Sequence, residues 1–308
     1  MLFLAIGYGV FGGYFFWKIF ENSHVLRDHY SNKIRGAGLV LLPFLLWYIF
    51  REWNMPLLLC TVIITLMGFY DDWKGLDGRI KLLITFLISL SVLFVFGKTL
   101  SINIFGYQFY VLVLNEVFWL LFLLGFTNAF NVIDGKDGVL LTTSLTSLIF
   151  LFLITQNDFW ISIAAICAGL LLYNSPPAKI IMGDTGSYLL GFIISYGFLR
   201  NSHLPFEVIL LVLFFPFADT ILTFIRRVVK GRNIFLRDEE HIHHKITDIL
   251  GDRLGLALIF GLNVFSAALS YFYLNVGNYL ILLFGYLVWV FVIFMCYRYK
   301  KLPFQGLG

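Results

Sequence analysis

Residues 115–155 read NEVFWLLFLLGFTNAFNVIDGKDGVLLTTSLTSLIFLFLIT. Two apolar runs, about 115–133 and 138–155, flank one polar turn. Each run comes close to the roughly 20 residues, about 17 at the short end, that let a helix cross the hydrocarbon of a bilayer. The turn between them carries Asn128, Asn131, Asp134 and Asp137 at three-residue intervals, with Gly135 and Gly138 among the acids. A lipid-embedded chain avoids such groups unless it uses them. The stretch therefore predicts two antiparallel membrane helices meeting at a chemically loaded turn.

The rest of the chain repeats this pattern. Of 308 residues 60% are hydrophobic and only 13% charged, whereas a soluble domain is about half apolar and about a quarter charged. The expected class is all-α, a polytopic membrane bundle. Its candidate helices lie at about 1–20, 36–50, 55–70, 80–97, 115–133, 138–155, 158–173, 186–200, 206–225, 254–274 and 277–297. That makes eleven spans, or ten if the short second segment does not cross. The first has no basic residue before its apolar stretch and no small-residue cleavage site before Lys18, so a retained anchor is expected. Phe105–Tyr110 reads as a short strand or interfacial segment with aromatic anchors. Cys60, Cys167 and Cys296 fall in predicted spans and read as buried thiols without a disulfide or metal framework. With no repeat or soluble module, residues 1–308 are expected to form one integral membrane domain.

Charge sets the orientation. If the loop 21–35 is cytoplasmic and sides alternate from there, nineteen of the 22 Lys and Arg fall on the cytoplasmic side. Only Arg51, Lys98 and Arg200 fall on the other. The positive-inside rule then places the N-terminus outside and the C-terminus in the cytoplasm. The loops 21–35, 71–81, 134–138, 174–187 and 226–253 all become cytoplasmic, although their polar motifs played no part in the choice. The net charge of +4 follows from this asymmetry and does not imply nucleic-acid binding.

Four clusters occupy those loops. Asp71-Asp72 ends the third helix; adjacent side chains diverge by about 100° on a helix, so both serve one site only where the helix end faces a cleft. Lys74 and Lys81 follow. A pair of solvated charges stopping a helix is the plain alternative. Asn128, Asn131 and Asp134 share a helical face, which suits nucleoside and sugar contacts together with Asp137, but equally suits hydrogen bonds between helices. Asp184 sits in Gly-Asp-Thr-Gly-Ser just before the eighth span, where free N–H groups favour phosphate and a carboxylate holds a hard cation; an N-cap is the alternative. Asn174 and the Pro176-Pro177 pair lie upstream. His241, His243 and His244 form an imidazole cluster suited to pyrophosphate oxygens, in a setting without a recognised zinc ligand arrangement. Asp219, seven residues before Arg226, is an acid placed well inside a span, open to a functional role or a structural pairing.

These motifs, in this order, resemble the polyprenyl-phosphate N-acetylhexosamine-1-phosphate transferases, the group that includes WecA, TagO and MraY. The resemblance runs from Asn32 to about His244. Asp71-Asp72 is similar to the family's Asp-Asp motif, with Lys81 as the lysine of the next helix. Asn128–Gly138 is similar to its Asn-x-x-Asn-x-x-Asp-Gly-x-Asp-Gly motif, and Asp184 to the aspartate that holds Mg²⁺ in relatives. His241-Ile242-His243-His244 resembles the WecA-type loop rather than the Pro-x-His-His-His run of the MraY branch. Arg35-Gly36-Ala37-Gly38 departs from the usual Gly-Gly pair, which bears on the phosphate contacts assigned to Lys33 and Arg35.

The resemblance implies a bacterial or archaeal plasma-membrane enzyme that passes HexNAc-1-phosphate, GlcNAc-1-phosphate foremost, from a UDP-sugar to undecaprenyl phosphate and releases UMP. Mg²⁺, with Mn²⁺ as an alternative, would sit on Asp184. Asp71, Asp72, Asp134 and Lys81 would be catalytic. Asn128, Asn131, Asp137, Asn174, Lys33, Arg35 and the three histidines would bind substrate. A homodimer is compatible with this reading. An MraY-type pentapeptide donor is the nearest alternative. An ion-coupled transporter is the alternative of another class, although transporter acids gather near the midplane and these lie at one surface.

Overall fold

The computed structural model describes residues 2–21, 26, 33–52, 54–97, 100–109, 111–231 and 240–298. Parts of the expected loops 21–35 and 226–253 lie outside the described residues, as do Tyr110, Lys98 and the cytoplasmic charges assigned to Arg27, Arg232, Arg237, Lys300 and Lys301.

Thirteen α-helices are described: α1 Leu2–Phe20, α2 Leu42–Arg51, α3 Met55–Lys74, α4 Gly78–Phe96, α5 Leu112–Val132, α6 Val139–Thr155, α7 Asp158–Asn174, α8 Gly183–Arg200, α9 Phe206–Val212, α10 Phe214–Val229, α11 Ile242–Leu250, α12 Asp252–Val276 and α13 Tyr279–Arg298. The chain is a polytopic helical membrane protein. α1, α3, α4, α5, α12 and α13 are long and apolar enough to cross a bilayer, and α9 with α10 passes as a bent pair. The segment 37–51, α6 and α7 are shorter apolar helices; the 17 residues of α6 rise about 25 Å at 1.5 Å each.

α8 runs through the centre. From Thr185 to Leu199 every residue is buried, against α3, α5 and α6. α1 lies on α7 because both helices are glycine there: a Cβ at Gly9 would overlap the Ile166 carbonyl, and one at Gly169 would come 2.7 Å from the Ile6 carbonyl. Small residues let backbones approach where lipid offers helices no hydrophobic incentive to associate. Hydroxyls inside the helices turn back to their own backbone, as in Thr61 to the Leu57 carbonyl (2.7 Å) and Ser147 to Thr143 (3.0 Å), since no water is at hand to satisfy them.

Two elements differ from the expectation. The ninth predicted helix is broken, α9 and α10 meeting at 83°. Pro216, in the first turn of α10, has no N–H for the Val212 carbonyl, and its ring excludes that carbonyl from the helix. The loop 226–253 holds α11, nine residues long, which buries Ile242, His243, Ile246 and Thr247 on one side. The outer aromatic segment is a strand pair, β1 Ile102–Ile104 and β2 Tyr107–Phe109, antiparallel with Ile102 opposite Phe109. Glu207 of α9 accepts from the Phe105 amide at its turn (3.1 Å).

Candidate active site

The C-terminal ends of α3, α5, α7 and α10 and the N-terminal ends of α4, α6, α8 and α11 meet at one end of the bundle. The segment 33–38 threads between them, its backbone paired with the approach to α8: Ile181 N donates to the Ile34 carbonyl (2.8 Å) and Ala37 N to the Ile181 carbonyl (3.2 Å).

The N-terminus of α8 organises the site. Asp72 is nearly buried and accepts three hydrogen bonds there, from Asp184 N (2.9 Å), Thr185 N (2.9 Å) and Thr185 Oγ1 (2.6 Å). The carboxylate satisfies amides that the first turn leaves without intrahelical partners. Gly183 makes this possible: its φ of +67° is left-handed, and a Cβ there would stand 2.5 Å from both Asp72 oxygens.

With Asp72 turned toward α8, its neighbour Asp71 faces the cleft. Lys81 of α4 lies between Asp184 Oδ2 (2.7 Å) and Asp71 Oδ1 (3.2 Å). Asp71 and Asp184 are in hydrogen-bond contact with each other, and Asp71 also accepts from Leu76 N (2.7 Å). Asp134 lies beside them and accepts from Gly183 N. Burial pushes the Asp134 carboxyl well above the usual carboxylate range, the Asp184 and Asp72 charges push the same way, and Arg35 pulls it down. Four acids thus share a small volume with Lys81 and Arg35. Carboxylates in contact require a proton or a cation between them, and an all-oxygen donor set suits Mg²⁺ or Mn²⁺.

The amides line the wall. Asn131 Nδ2 donates to Ser187 Oγ of α8 (2.9 Å). Asn128 lies a turn deeper, with the Leu124 carbonyl at 2.8 Å and Tyr188 Oη at 3.4 Å. Asn174 is buried with both ends of its amide engaged, accepting from Gly138 N (3.1 Å) and donating to the Ile180 carbonyl (2.9 Å). It braces the 134–138 turn. Asp137 pairs with Lys33 (2.5 Å) and accepts from Ala178 N (2.9 Å). Beside this pair opens a cavity of about 470 Å³ that also takes in Pro176, Pro177, Asp252 and Arg253. That volume lies in the range of small-molecule sites, roughly 300–1,000 Å³.

The histidines close the other side. His243 Nδ1 is 2.7 Å from Asp219 Oδ2, and His241 Nδ1 is 3.0 Å from Thr223 Oγ1. The rings of His243 and His244 lie 4.5 Å apart. Burial and the neighbouring His243, Lys136 and His241 hold the His244 imidazole down at about 4. Arg226 is not the partner of Asp219; it reaches the Glu240 carbonyl (2.5 Å) and the Glu240 carboxylate (3.4 Å).

All the residues expected from the sequence therefore gather at one end of the bundle, with Asn128 deepest. Sequence reasoning missed Thr185, Ser187, Tyr188 and Thr223. The first two stand in the Gly183–Ser187 stretch, one and three places after Asp184. Thr223 gives only the signal of lying one turn after Asp219.

The sequence pattern of glycosyl transferase family 4 matches residues 54–201, the stretch that builds α3 to α8. An undecaprenyl-phosphate alpha-N-acetylglucosaminyl 1-phosphate transferase of Thermotoga maritima is 34% identical, over 85% of this chain and 87% of its own. A probable undecaprenyl-phosphate N-acetylglucosaminyl 1-phosphate transferase of Bacillus subtilis is 32% identical over 64% of this chain and 60% of its own. A phospho-N-acetylmuramoyl-pentapeptide-transferase of a Wolbachia species is 35% identical but covers only 49% of this chain and 53% of its own. Similarity to the Thermotoga protein over most of both chains, together with a family pattern laid across the helices that carry the acids, establishes that this chain belongs to glycosyl transferase family 4.

Proposed function

We propose that the protein transfers GlcNAc-1-phosphate from UDP-GlcNAc to undecaprenyl phosphate and releases UMP, as the first membrane step of a cell-surface glycan. The observation that carries this reading is the group Asp71, Lys81 and Asp184 at the N-terminus of α8, facing a turn of amides and acids on one side and imidazoles on the other. The names of the relatives that match most of the chain support the same transferred group and acceptor. The whole chain acts as one membrane domain with this end in the cytoplasm, where nineteen of 22 basic residues fall by alternation.

An oxygen of the lipid phosphate attacks the β-phosphorus of the donor; that P–O bond forms as the bond to UMP breaks. Two anionic reactants must meet, so the work is chiefly positioning and charge compensation. Lys81 lies where it can compensate phosphate charge while holding Asp71 and Asp184 in place. Asp184, with Asp71 and Asp134 at hand, would hold Mg²⁺ or Mn²⁺, which supplies charge neutralisation on the donor phosphates when bound. Asn131 and Asp137 with Lys33 suit the nucleotide and sugar, and the histidines suit pyrophosphate oxygens. Asp72 and Asn174 act by fixing the first turn of α8 and the 134–138 turn.

The test is UMP release by the purified protein with Mg²⁺ and undecaprenyl phosphate, given UDP-GlcNAc or UDP-MurNAc-pentapeptide separately. UMP from UDP-GlcNAc alone is expected. UMP from the pentapeptide donor alone would keep the chemistry and overturn the donor, and UMP from neither would overturn the function.

A further inference from the structure

Asp219, singled out in the sequence, is left without a task by the chemistry above, and it is wholly buried in the first half of α10. Its carboxylate meets the histidine cluster and a backbone amide instead of Arg226. Oδ1 accepts from Ile242 N (2.5 Å), and Oδ2 lies 2.7 Å from His243 Nδ1 and 3.4 Å from His241 Nδ1. An ionised carboxylate only accepts hydrogen bonds, so the proton between Asp219 and His243 belongs to Nδ1 of the imidazole. The other ring nitrogen, Nε2, is then the one left for chemistry.

The position of Nε2 is informative. It is buried and has no hydrogen-bond partner among the described residues. A buried polar atom left unpaired is costly, and such atoms are uncommon enough to call for a reason. It faces Gly135, where a Cβ would stand 2.5 Å from Nε2 of His243 and 3.2 Å from Nε2 of His244. Any side chain at 135 would cover both nitrogens. Without a side chain at 135 the two imidazoles pack directly against the turn that carries Asp134 and Asp137.

We infer that Asp219 is a positioning residue: it fixes the tautomer and tilt of His243 so that the unprotonated Nε2 is presented at the Gly135 turn as an acceptor, where a hydroxyl or N–H of the substrate can make the missing hydrogen bond. The inference rests on the function proposed above for its substrate, and on geometry alone for its tautomer. A carboxylate behind an imidazole sets which nitrogen is protonated and how the ring is aimed. Asp219, His241 and His243 do have ligand atoms within 4.8 Å of one another. A shared cation would need Nδ1 of His243 stripped of the proton that its 2.7 Å contact with Asp219 requires. Thr223, one turn after Asp219, holds Nδ1 of His241 at 3.0 Å and steadies the adjacent ring, stacked on His243 at 5.1 Å.

A double-mutant cycle tests this in lipid nanodiscs with undecaprenyl phosphate and UDP-GlcNAc, using Asp219→Asn, His243→Gln and the pair. Asp219→Asn is expected to lower kcat about 10–100-fold, the size usual when a residue that orients a working histidine is lost, with KM for UDP-GlcNAc little changed. His243→Gln should cost at least as much, and the double variant should equal His243→Gln alone. Effects that multiply would mean that Asp219 acts elsewhere and would overturn the inference. Solid-state NMR of ¹⁵N-histidine protein supplies a readout independent of turnover: the Nδ1–H signal lost in His243→Gln should shift in Asp219→Asn. An unmoved signal overturns the inference even in an active enzyme, and a shifted signal in a wild type that releases no UMP would leave the tautomer standing and sink the proposed function instead. If Asp219→Asn is not recovered folded, Asp219→Glu takes its place. It keeps an acceptor, so the Nδ1–H signal should persist while kcat falls, and loss of the signal at full activity would refute the role.

Discussion

Asp72 and Asp71 are neighbours in sequence, yet replacing each by Asn should have opposite consequences. Asp72 accepts two amides and one hydroxyl at the first turn of α8. An Asn offers one oxygen; with that oxygen toward Thr185, its NH₂ must face the Asp184 amide, donor against donor. The cost is a lost charge-assisted hydrogen bond, about 1.5–3 kcal/mol, and the loss of a negative charge at a helix N-terminus, about 0.3–1 kcal/mol or more when buried. Relief of repulsion from Asp184 offsets part of this, leaving a destabilisation of about 2–3 kcal/mol. For a chain of this size that is a fall in Tm of roughly 3–5 °C. The equivalent Asp71→Asn keeps an oxygen for the Leu76 amide and leaves Lys81 on Asp184, so Tm should stay within about 2 °C by the same scaling while turnover drops. Thermal unfolding followed by tryptophan fluorescence in one detergent decides it. Equal Tm values for the two variants would refute the assignment of Asp72 as the anchor of α8.

Three further outcomes follow from the same geometry. Asp184→Asn should reduce kcat by about a thousandfold or more, since it would weaken the hold on a cation, and one positive charge about 4 Å from reacting phosphate at an effective dielectric near 20 is worth about 4 kcal/mol; Tm should hold, because Lys81 retains Asp71 at 3.2 Å. Gly183→Ala should fail to yield folded protein, judged by size-exclusion chromatography, because its Cβ would meet Asp72 at 2.5 Å from a left-handed φ; near-normal recovery would contradict the packing at α8. His244 is held neutral down to about 4 when folded, against an ordinary 6.5. The unfolded chain therefore binds this proton first, and stability should fall as pH drops from about 6.5 to about 4 and level off below. His244→Gln should flatten that part of the Tm–pH curve, and an unchanged curve would show that the imidazole does not contribute.

The fold was legible wherever an apolar run was long. α1, α3, α4, α5, α12 and α13 fall within a few residues of the expected segments because hydrocarbon thickness sets their length. It was less legible where a rule of local backbone chemistry competes with hydropathy. The run 206–225 is apolar apart from Glu207, Asp219 and two threonines, and only Pro216 tells that the Val212 carbonyl loses its donor there. α11 is short and half polar, so hydropathy passes over it; its helix forms because Ile242, His243, Ile246 and Thr247 find a buried face.

The site was legible as a set of residues and illegible as a set of partners, and Asp219 shows why. Helix arithmetic pairs it with Arg226, two turns along the same face, and that arithmetic is correct for a helix standing alone. The structure brings α11 back onto α10 across residues distant in sequence, so the nearer end of that face meets His241 and His243 while Arg226 turns to Glu240. The same holds for Asp72, which reads as half of a catalytic pair until α8 arrives with its unsatisfied amides and claims it. A carboxylate's role depends on which donors the tertiary fold delivers to it. Sequence spacing counts only the donors on its own helix, so residues such as Asp71 and Asp72, adjacent and identical, can be told apart only once α8 is in place.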